Sequence, residues 1–414
     1  MNTLPWQEQP PRTGGLLVVR VPARPGGYEV ARVVWHTAPG TGTDGGPALV
    51  ALEALLHSVA LPGRTVADML ESLGVSVEPG RTHVSCHLEF QGSKDGIRKA
   101  VPLFADALAA TVLQPDAVRT ARASVLGLVE RLDSSLPDRA ERAFYAAVAG
   151  ADGLLARHGE GTVESLLGMT PEQVTGARED LVRSLPVSLF LSDAAAEPAW
   201  RAALARTAPA TPVVAAGPTL VPAPARQRVD VSVTGPRGAH LLWGCMAELG
   251  DVMDHVALEI AAHALGGGWS ARWQHLFREE LGRVYGTHAR IRSLGLDGRA
   301  HGAALIGMST GAADADSAAA LLEEEAARFS LHGLTEKEVT DGAGQLLRAE
   351  GLFQVSAQKF VARAAQPVQA GLGVSFAARR LECLASATPD EVNLRLRRLE
   401  GRAAVSVARS KGGH

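Results

Sequence analysis

The feature that most constrains the fold of this 414-residue chain is an internal repeat. Strand-like and helix-like segments follow the same order on either side of residues 208–227, APATPVVAAGPTLVPAPARQ, whose Pro- and Ala-rich composition is typical of an extended linker. ESLG, which ends at Gly74, is matched by EELG, which ends at Gly282. Three residues in LQPDAVRTARASVL return 221 positions later: Leu113, Val118 and Leu126 as Leu334, Val339 and Leu347. The common order indicates that one α+β unit has been duplicated.

Hydrophobic periodicity predicts the elements of each unit. The first half predicts strands at LLVVRVPA and EVARVVWHTA, helices at GPALVALEALLHSV and TVADMLESLG, a strand across SVEPGRTHVSCHLEF, and two more helices. The second half repeats this order, with helices at DHVALEIAAHALGGG and SARWQHLFREELG. We therefore predict an α+β fold with two homologous domains, 1–207 and 228–414, joined by the linker 208–227. Each domain is expected to be an antiparallel sheet that helices cover on one face.

Composition excludes some classes of function. The net charge of −3 gives no basic surface for nucleic acid, and we expect none as a partner. No cationic start followed by an apolar run opens the chain, and no 18 apolar residues run uninterrupted, so we expect a cytoplasmic protein with no membrane partner. The three cysteines, Cys86, Cys245 and Cys383, are far apart and favour buried apolar roles.

A catalytic centre is hard to find in this sequence. Two of the thirteen histidines, His83 and His87 in HVSCH, are four apart, the spacing at which a helix holds one zinc ion. That segment follows Pro79-Gly80, which predicts a turn, and continues as a strand, where residues four apart are too distant to share a metal. GGGWSA lacks the lysine of a phosphate-binding loop and follows a helix, so we expect a helix end with a left-handed glycine.

The run ALGGGWSARWQHLFREELGRVYGTHA, which includes residues 266–289, resembles the second-domain signature of the pitrilysin-type zinc peptidases. These inverzincins include the mitochondrial processing peptidases. In that family an LGGG turn precedes a helix that carries an arginine, and a tyrosine follows seven positions later; Arg278 and Tyr285 have this spacing. The resemblance extends along nearly the whole chain, by pattern, and it implies the family's fold of two homologous α+β domains.

The chain departs from the family where the family binds zinc. The family's H-x-x-E-H is expected at about residues 50–55, where this sequence is VALEAL, and His57 does not supply two histidines around a glutamate. The distal glutamate ligand is expected in SVLGLV, which places Gly127 and Leu128 there. The comparison implies that this chain holds no zinc and is inactive alone.

The resemblance implies a role for the arginine and tyrosine. In two-component members of the family, one subunit carries H-x-x-E-H and its non-catalytic partner supplies these two residues. Arg278 and Tyr285 are thus candidate catalytic residues directed at a partner's zinc, and Gly266, Gly267 and Gly268 are candidate substrate-binding residues or merely a chain turn. Trp269 and Trp273, one helical turn apart, favour packing in the core or in a subunit interface.

Two hypotheses of function follow from the sequence. The first is the non-zinc, substrate-binding subunit of a heterodimeric zinc endopeptidase, which cuts short or unfolded peptides such as leader or targeting peptides and binds them as an added strand. The second is a catalytically inactive scaffold or peptide-binding protein of the same fold. Retention of Arg278 and Tyr285 favours the first hypothesis. An active enzyme that uses His83 and His87 is a third, weaker alternative.

Overall fold

The computed structural model describes most of the chain, in thirteen stretches. They are residues 7–9, 16–21, 28–36, 45–110, 113–151, 153–183, 187–205, 228–234, 237–296, 299–353, 356–370, 372–398 and 403–411. The linker predicted at 208–227 lies outside them. Within these stretches, no helix has the length and apolar character needed to cross a membrane.

The first half of the chain forms one six-stranded sheet and a short two-stranded ribbon. Its strands are β1 (Gln7–Gln9), β2 (Leu16–Arg20), β3 (Glu29–His36), β4 (Val59–Leu61), β5 (Arg64–Thr65), β6 (Val75–Thr82), β7 (Ser85–Gly92) and β8 (Val187–Leu191). Its helices are α1 (Gly46–His57), α2 (Val66–Ser72), α3 (Lys94–Ala109), α4 (Pro115–Ser134), α5 (Leu136–Ala149), α6 (Val163–Leu167), α7 (Pro171–Arg183) and α8 (Glu197–Ala205). The order in the sheet is β1-β2-β8-β3-β7-β6.

The second half forms a five-stranded sheet. Its strands are β9 (Arg228–Val233), β10 (Ala239–Leu249), β11 (Gly286–Leu296), β12 (Arg299–Thr310) and β13 (Ala403–Ser410). Its helices are α9 (Val252–Gly266), α10 (Arg272–Gln274), which continues as a π-helix (His275–Glu280), α11 (Ala315–His332), α12 (Glu336–Phe353), α13 (Ala357–Gln369), α14 (Ser375–Ser386) and α15 (Pro389–Arg397). The order in the sheet is β11-β12-β10-β13-β9.

The two sheets have the same topology. Read from the opposite end, the second order is β9-β13-β10-β12-β11, which matches β2-β8-β3-β7-β6 strand for strand. The directions also match, since β2 and β8 run parallel, as do β9 and β13, while the other pairs are antiparallel. Helices α4 and α12 begin 221 positions apart, which is also the separation of the repeated leucines and valine. The α+β class with two homologous domains is confirmed, and each sheet gains one parallel pair.

Two compact units share the chain in an interleaved way. The first contains Met1–Val129, His158–Pro218 and Gly351–Val374, and the second contains Glu130–Arg157, Thr219–Glu350 and Ser375–His414. Helix α5 therefore belongs with the sheet of the second half, and α13 belongs with the sheet of the first half. The domain boundaries predicted at 207 and 228 follow sequence order and stay a prediction.

Helix α5 covers the face of the second sheet that α9 leaves free. Its apolar residues recur at helical spacing and pack with Leu242, Met246 and Leu305 of β10 and β12. They are Leu136, Ala140, Phe144, Ala147 and Val148. The Ser135 hydroxyl accepts a hydrogen bond from the Asp138 N–H and caps the helix. The second sheet is thus buried on both faces, whereas the sequence predicted helices on one face.

Helix α13 covers the corresponding face of the first sheet. Phe360, Val361 and Ala364 pack with Val19, Val34 and other apolar residues of β2, β3 and β8. The opposite face carries the largest apolar cluster among the described residues, to which α1, α3, α4 and α7 contribute. Each sheet therefore lies between a layer of several helices and one helix.

The turn predicted at Pro79-Gly80 is wrong. Both residues lie inside β6, which pairs with β7, and the hairpin turn instead falls at residues 83–84. Proline, which has no backbone N–H, is tolerated because β6 is the last strand of the described sheet and one of its sides pairs with no other strand. Gly80 is required because a Cβ there would lie 2.5 Å from the His87 ring.

Candidate functional site

The candidate site is built on the segment from the end of α9 to the start of β11. Helix α9 begins with a capping box, in which Asp251 and Asp254 exchange side-chain and backbone hydrogen bonds. The helix is apolar almost all round, because it lies on the sheet and beneath other helices. The chain then passes through residues 267–271 into α10 and the π-helix, and enters the edge strand β11 after Tyr285.

The three glycines do not adopt the left-handed conformation that the sequence predicted. Gly267 caps α9 with φ −91°, and none of the three is among the glycines with positive φ. Close packing instead explains why glycine is needed at two of these positions. A Cβ on Gly266 would overlap Ile306, and one on Gly267 would lie 2.7 Å from the His263 Cα. Gly268 has ordinary space around it, so only that position could accept a side chain. Contact of these glycines with substrate stays a prediction.

The predicted helix SARWQHLFREELG is α-helical only at its start. Residues His275–Glu280 form a π-helix, which ends with the Arg283 N–H donating to the Phe277 carbonyl over 2.8 Å. Phe277 is fully buried, and Arg278, the next residue, is exposed. A π-helical turn adds a residue to the usual repeat and is often found at functional sites. Here it places Arg278 on the solvent side while Phe277 anchors the segment in the core.

A left-handed glycine does occur, at the end of this segment. Gly282 has φ +61°, and Gly74, its counterpart in the first half, has φ +68°. Both follow a helix and precede the edge strand of a sheet, β11 and β6. Backbone conformation therefore explains why glycine is repeated at these two positions, because residues with a Cβ rarely adopt positive φ.

A buried polar network joins the three parts of the site. The Thr287 N–H donates to Gln274 Oε1 over 2.7 Å, and the Thr287 hydroxyl lies 3.1 Å from the Gly266 carbonyl and 3.0 Å from Gln274 Oε1. Gln274 is buried. The network fixes the end of α9, the helix of Arg278 and the start of β11 against one another. Sequence reasoning missed it, since an amphipathic pattern gives no sign that a glutamine faces inward.

We expect Thr287→Val to destabilise the protein by about 1 kcal/mol, because the Gly266 carbonyl loses its donor. Urea unfolding of the wild type and the variant measures the change. Thr120→Val is the matched control, since the Thr120 hydroxyl bonds only the Asp116 carbonyl of its own helix. A Thr287→Val protein as stable as the control would show that the network contributes nothing.

Arg278 and Tyr285 both present unengaged donors to solvent. Tyr285 is 77% exposed, and its backbone N–H donates to the Ser309 carbonyl over 3.0 Å, which ties the residue to β12. The Arg278 guanidinium carbon lies 5.1 Å from the Trp269 ring centre. Among the residues that the structure describes, neither the guanidinium nor the phenol has a hydrogen-bond partner. Both groups are available to bind a ligand, and their catalytic role stays a prediction.

The two tryptophans of this segment have different surroundings. Trp273 is fully buried and meets Trp243 edge to face, with ring centres 5.4 Å apart. Packing in the core is thus the role of Trp273. Trp269 is 78% exposed and lies beside Arg278.

The region where the family binds zinc does not fit the metal. Within α1, Val50, Ala51, Leu52, Ala54 and Leu55 pack in the apolar core and carry no donor atom. Glu53, on the same helix, lies 3.6 Å from His57, and burial raises the pKa of its carboxyl while His57 lowers it. No cluster of three or more metal-binding side chains occurs within the described stretches. This carboxylate and one imidazole are not the family's set of ligands.

The histidines of HVSCH also lack a zinc geometry. His83 lies in the turn between β6 and β7, and His87 lies on β7, so the strand predicted through HVSCH is confirmed only from Ser85 onward. No helix brings the two histidines together. His87 Nδ1 lies 3.2 Å from Gln369 Nε2. Burial, and secondarily the charge of Arg32, lower the pKa of His87 to about 3. His87 is a neutral packing residue beneath α13.

A second polar group lies between α5 and the sheet of the second half. The Glu141 carboxylate forms an ion pair with Arg290, whose Nη2 lies 2.5 Å away, and accepts a hydrogen bond from Arg292 Nε over 3.2 Å. His240 Nδ1 lies 3.1 Å from the Ser309 hydroxyl, and burial lowers the pKa of this histidine to about 3, with smaller effects of His288 and Arg290. One carboxylate therefore pairs with both arginines, and His240 stays neutral.

A family model matches part of the second half of the chain. Residues 206–346 match the family model described as the peptidase M16 inactive domain. M16 is the family of the pitrilysin-type peptidases, so the resemblance noted in the sequence is confirmed. No curated protein sequence matches.

Solved structures with the same fold span the whole chain. The peptidase M16 inactive domain from Pseudomonas fluorescens is 18% identical, with a TM-score of 0.77 and 98% of each chain covered. A protease from Helicobacter pylori is 13% identical, with a TM-score of 0.79 over 98% of this chain and 100% of that chain. A chain of complex III2 from Candida albicans is 12% identical, with a TM-score of 0.71 over 95% and 94%. The chain therefore has the fold of these M16-type, peptidase-like structures over nearly its whole length.

Proposed function

We propose that this chain is the non-zinc, substrate-binding subunit of a heterodimeric zinc endopeptidase. Its partner is a homologous subunit that carries H-x-x-E-H, and its substrates are short or unfolded peptides, such as leader peptides. The observation that carries the proposal is the pair of exposed side chains, Arg278 and Tyr285, in the segment that leads into β11. Neither the guanidinium nor the phenol has a hydrogen-bond partner among the described residues. In this proposal the partner holds the metal, which is consistent with the apolar packing of α1 in the region where the family binds zinc.

The partner's zinc would supply a bound water of lowered pKa as the nucleophile. In this chain, the Tyr285 hydroxyl would donate a hydrogen bond to the substrate carbonyl oxygen as negative charge develops on it. The Arg278 guanidinium would donate to a neighbouring substrate carbonyl and hold the peptide in register. Such donors act best when they are already in place, because no reorganisation is then needed at the moment of reaction.

The sheet edges support the binding of an extended peptide. In the described sheets, β6 and β11 are each last in order and have a neighbour on one side only. An open edge can bind a peptide as an additional strand through backbone hydrogen bonds. Because Tyr285 directly precedes β11, a peptide near this edge would lie close to the phenol. We place the complex in the cytoplasm.

Peptide cleavage by the assembled pair tests the proposal. The chain is mixed with an H-x-x-E-H subunit encoded beside it, and cleavage of unfolded peptides is compared with that by each subunit alone. Only the mixture is expected to cleave. Arg278→Ala is expected to lower kcat/KM of the mixture about 10- to 100-fold, the effect of losing a charged hydrogen bond.

Arg299→Ala is the matched control, since Arg299 is an exposed arginine of the same unit that pairs only with Glu248 among the described residues. Size-exclusion chromatography must show that both variants still bind the partner. A mixture that assembles but cleaves nothing would contradict the proposal and favour an inactive scaffold of the same fold.

A further inference from the structure

Trp269 is an exposed aromatic residue that the proposed function leaves unexplained. Its side chain is 78% exposed, whereas the other tryptophans in the described stretches, Trp35, Trp200, Trp243 and Trp273, are at most 4% exposed. Leu281 and Tyr285, in the same segment, are also exposed. Removal of apolar surface from water is favourable, so an exposed indole in a segment with two other exposed apolar groups favours contact with a ligand.

The indole also orients Arg278. With the guanidinium carbon 5.1 Å from the ring centre, the cation lies within the range of a cation–π interaction. A guanidinium that stacks on a ring keeps its N–H groups free, because they point outward in the guanidinium plane. A salt bridge would instead occupy those donors.

The carboxylates nearest in sequence do not compete for Arg278. Glu279 and Glu280 lie 2.7 Å and 3.1 Å from the two ring nitrogens of His275. These contacts keep both glutamates on the imidazole. The side chain that holds Arg278 is therefore an aromatic ring, which fixes its direction and leaves its hydrogen-bonding capacity for another molecule.

We propose that Trp269 positions Arg278 and also contacts a large apolar side chain of the peptide. This inference rests on the proposed function and adds a substrate preference to it. The favoured peptides have a residue such as Leu or Phe beside the carbonyl that Arg278 holds. A Lys or Arg side chain at that position is disfavoured, because it would meet the like charge of Arg278.

The stacking is tested first on the isolated chain, independently of any partner. The side-chain Nε–H signal of Arg278 is identified by its loss in Arg278→Lys. Ring current places this signal upfield in the wild type, and we expect it to move downfield in Trp269→Leu. It should stay in place in Leu331→Ala, which shortens another exposed apolar residue. An unmoved signal in Trp269→Leu would overturn the positioning role.

The peptide contact is tested with the assembled mixture. The substrate is the peptide that the wild type cleaves, with Leu, Ala or Lys placed in turn at each position beside the cleaved bond. In Trp269→Leu, kcat/KM for the Ala peptide should fall roughly two- to fivefold, the effect of losing an exposed cation–π interaction. The preference for Leu over Ala should also disappear, while Trp269→Phe should retain both properties.

The outcomes separate this inference from the proposed function. If the wild type cleaves but Trp269→Leu keeps the wild-type rate and the preference for Leu, the contact with Trp269 is wrong and the proposed function stands. If the wild-type mixture assembles and cleaves no peptide, the proposed function fails and the peptide contact fails with it. The spectrum of the isolated chain then still decides whether Trp269 positions Arg278.

Discussion

Replacement of Tyr285 by Phe is expected to lower kcat of the assembled pair about 10²- to 10³-fold, with little change in KM. The substitution removes one hydroxyl, and the loss of a single oxyanion donor has an effect of this size. The ground-state carbonyl depends less on that donor than the charged oxygen does, so the loss falls on kcat. Steady-state kinetics of the purified mixture measures both constants.

The structure makes this substitution a clean test. The Tyr285 hydroxyl has no partner among the described residues, and the side chain is 77% exposed. Stability should therefore change by less than about 0.5 kcal/mol. Tyr28→Phe is the matched control, since Tyr28 is 66% exposed and belongs to the other unit. If Tyr285→Phe and Tyr28→Phe mixtures cleave at equal rates, the phenol has no part in catalysis.

Replacement of Phe144 by Ala is expected to lower the free energy of unfolding by about 3–5 kcal/mol. Phe144 of α5 is fully buried between its helix and the sheet of the second half. A large-to-small change at such a site loses the apolar burial and leaves a cavity. Urea unfolding followed by circular dichroism measures the loss. Leu352→Ala, an exposed position on α12, should change stability by less than about 0.5 kcal/mol.

Gly244 of β10 provides a second arm of the same test. A Cβ at this position would lie 2.5 Å from the Phe144 ring, so Gly244→Ala should destabilise the protein by about 1–3 kcal/mol through overpacking. In the double variant the new methyl group enters the space that the ring has left, so the two losses should not add. Additive losses, or a Phe144→Ala protein as stable as the wild type, would contradict the packing of α5 on this sheet.

Much of the fold could be predicted from patterns in the sequence. The 221-residue offset of the leucines was reproduced by the starts of α4 and α12, and the repeated Gly74 and Gly282 proved to be left-handed turns before edge strands. The offset is a repeat of residue types and is therefore visible in the sequence. The left-handed glycine, in contrast, was predicted in GGGWSA and is found instead at Gly74 and Gly282. The parallel pairing of β2 with β8 could not be predicted, since it brings together strands more than 150 residues apart in sequence.

The exchange of α5 and α13 between the units was not visible in the sequence. An amphipathic stripe shows that a helix buries one face, but it does not show which sheet that face covers. The turn predicted at Pro79-Gly80 was also wrong because the prediction considered the dipeptide without its tertiary surroundings. The dipeptide is common in turns, and only the position of β6 at a sheet edge and the ring of His87 explain it within a strand.

At the candidate site, the candidate residues could be identified from the sequence, but their contacts could be seen only in the structure. The spacing of Arg278 and Tyr285 was recognised from the family pattern, whereas the stacking of Arg278 on Trp269 and the network around Gln274 depend on tertiary packing. The π-helix also had no sequence signal, because an α-helix and a π-helix can bury the same apolar residues. The family pattern also drew attention to glycines 266–268, and the structure shows that close packing requires glycine at two of the three positions.

The most direct test of the account is a titration of the H-x-x-E-H subunit with this chain, with the initial rate of peptide cleavage as the measurement. We expect negligible cleavage by either subunit alone, a rate that rises as this chain is added, and saturation at one chain per partner. A cleavage rate of the partner that does not depend on this chain would contradict the claim that Arg278 and Tyr285 complete its active site.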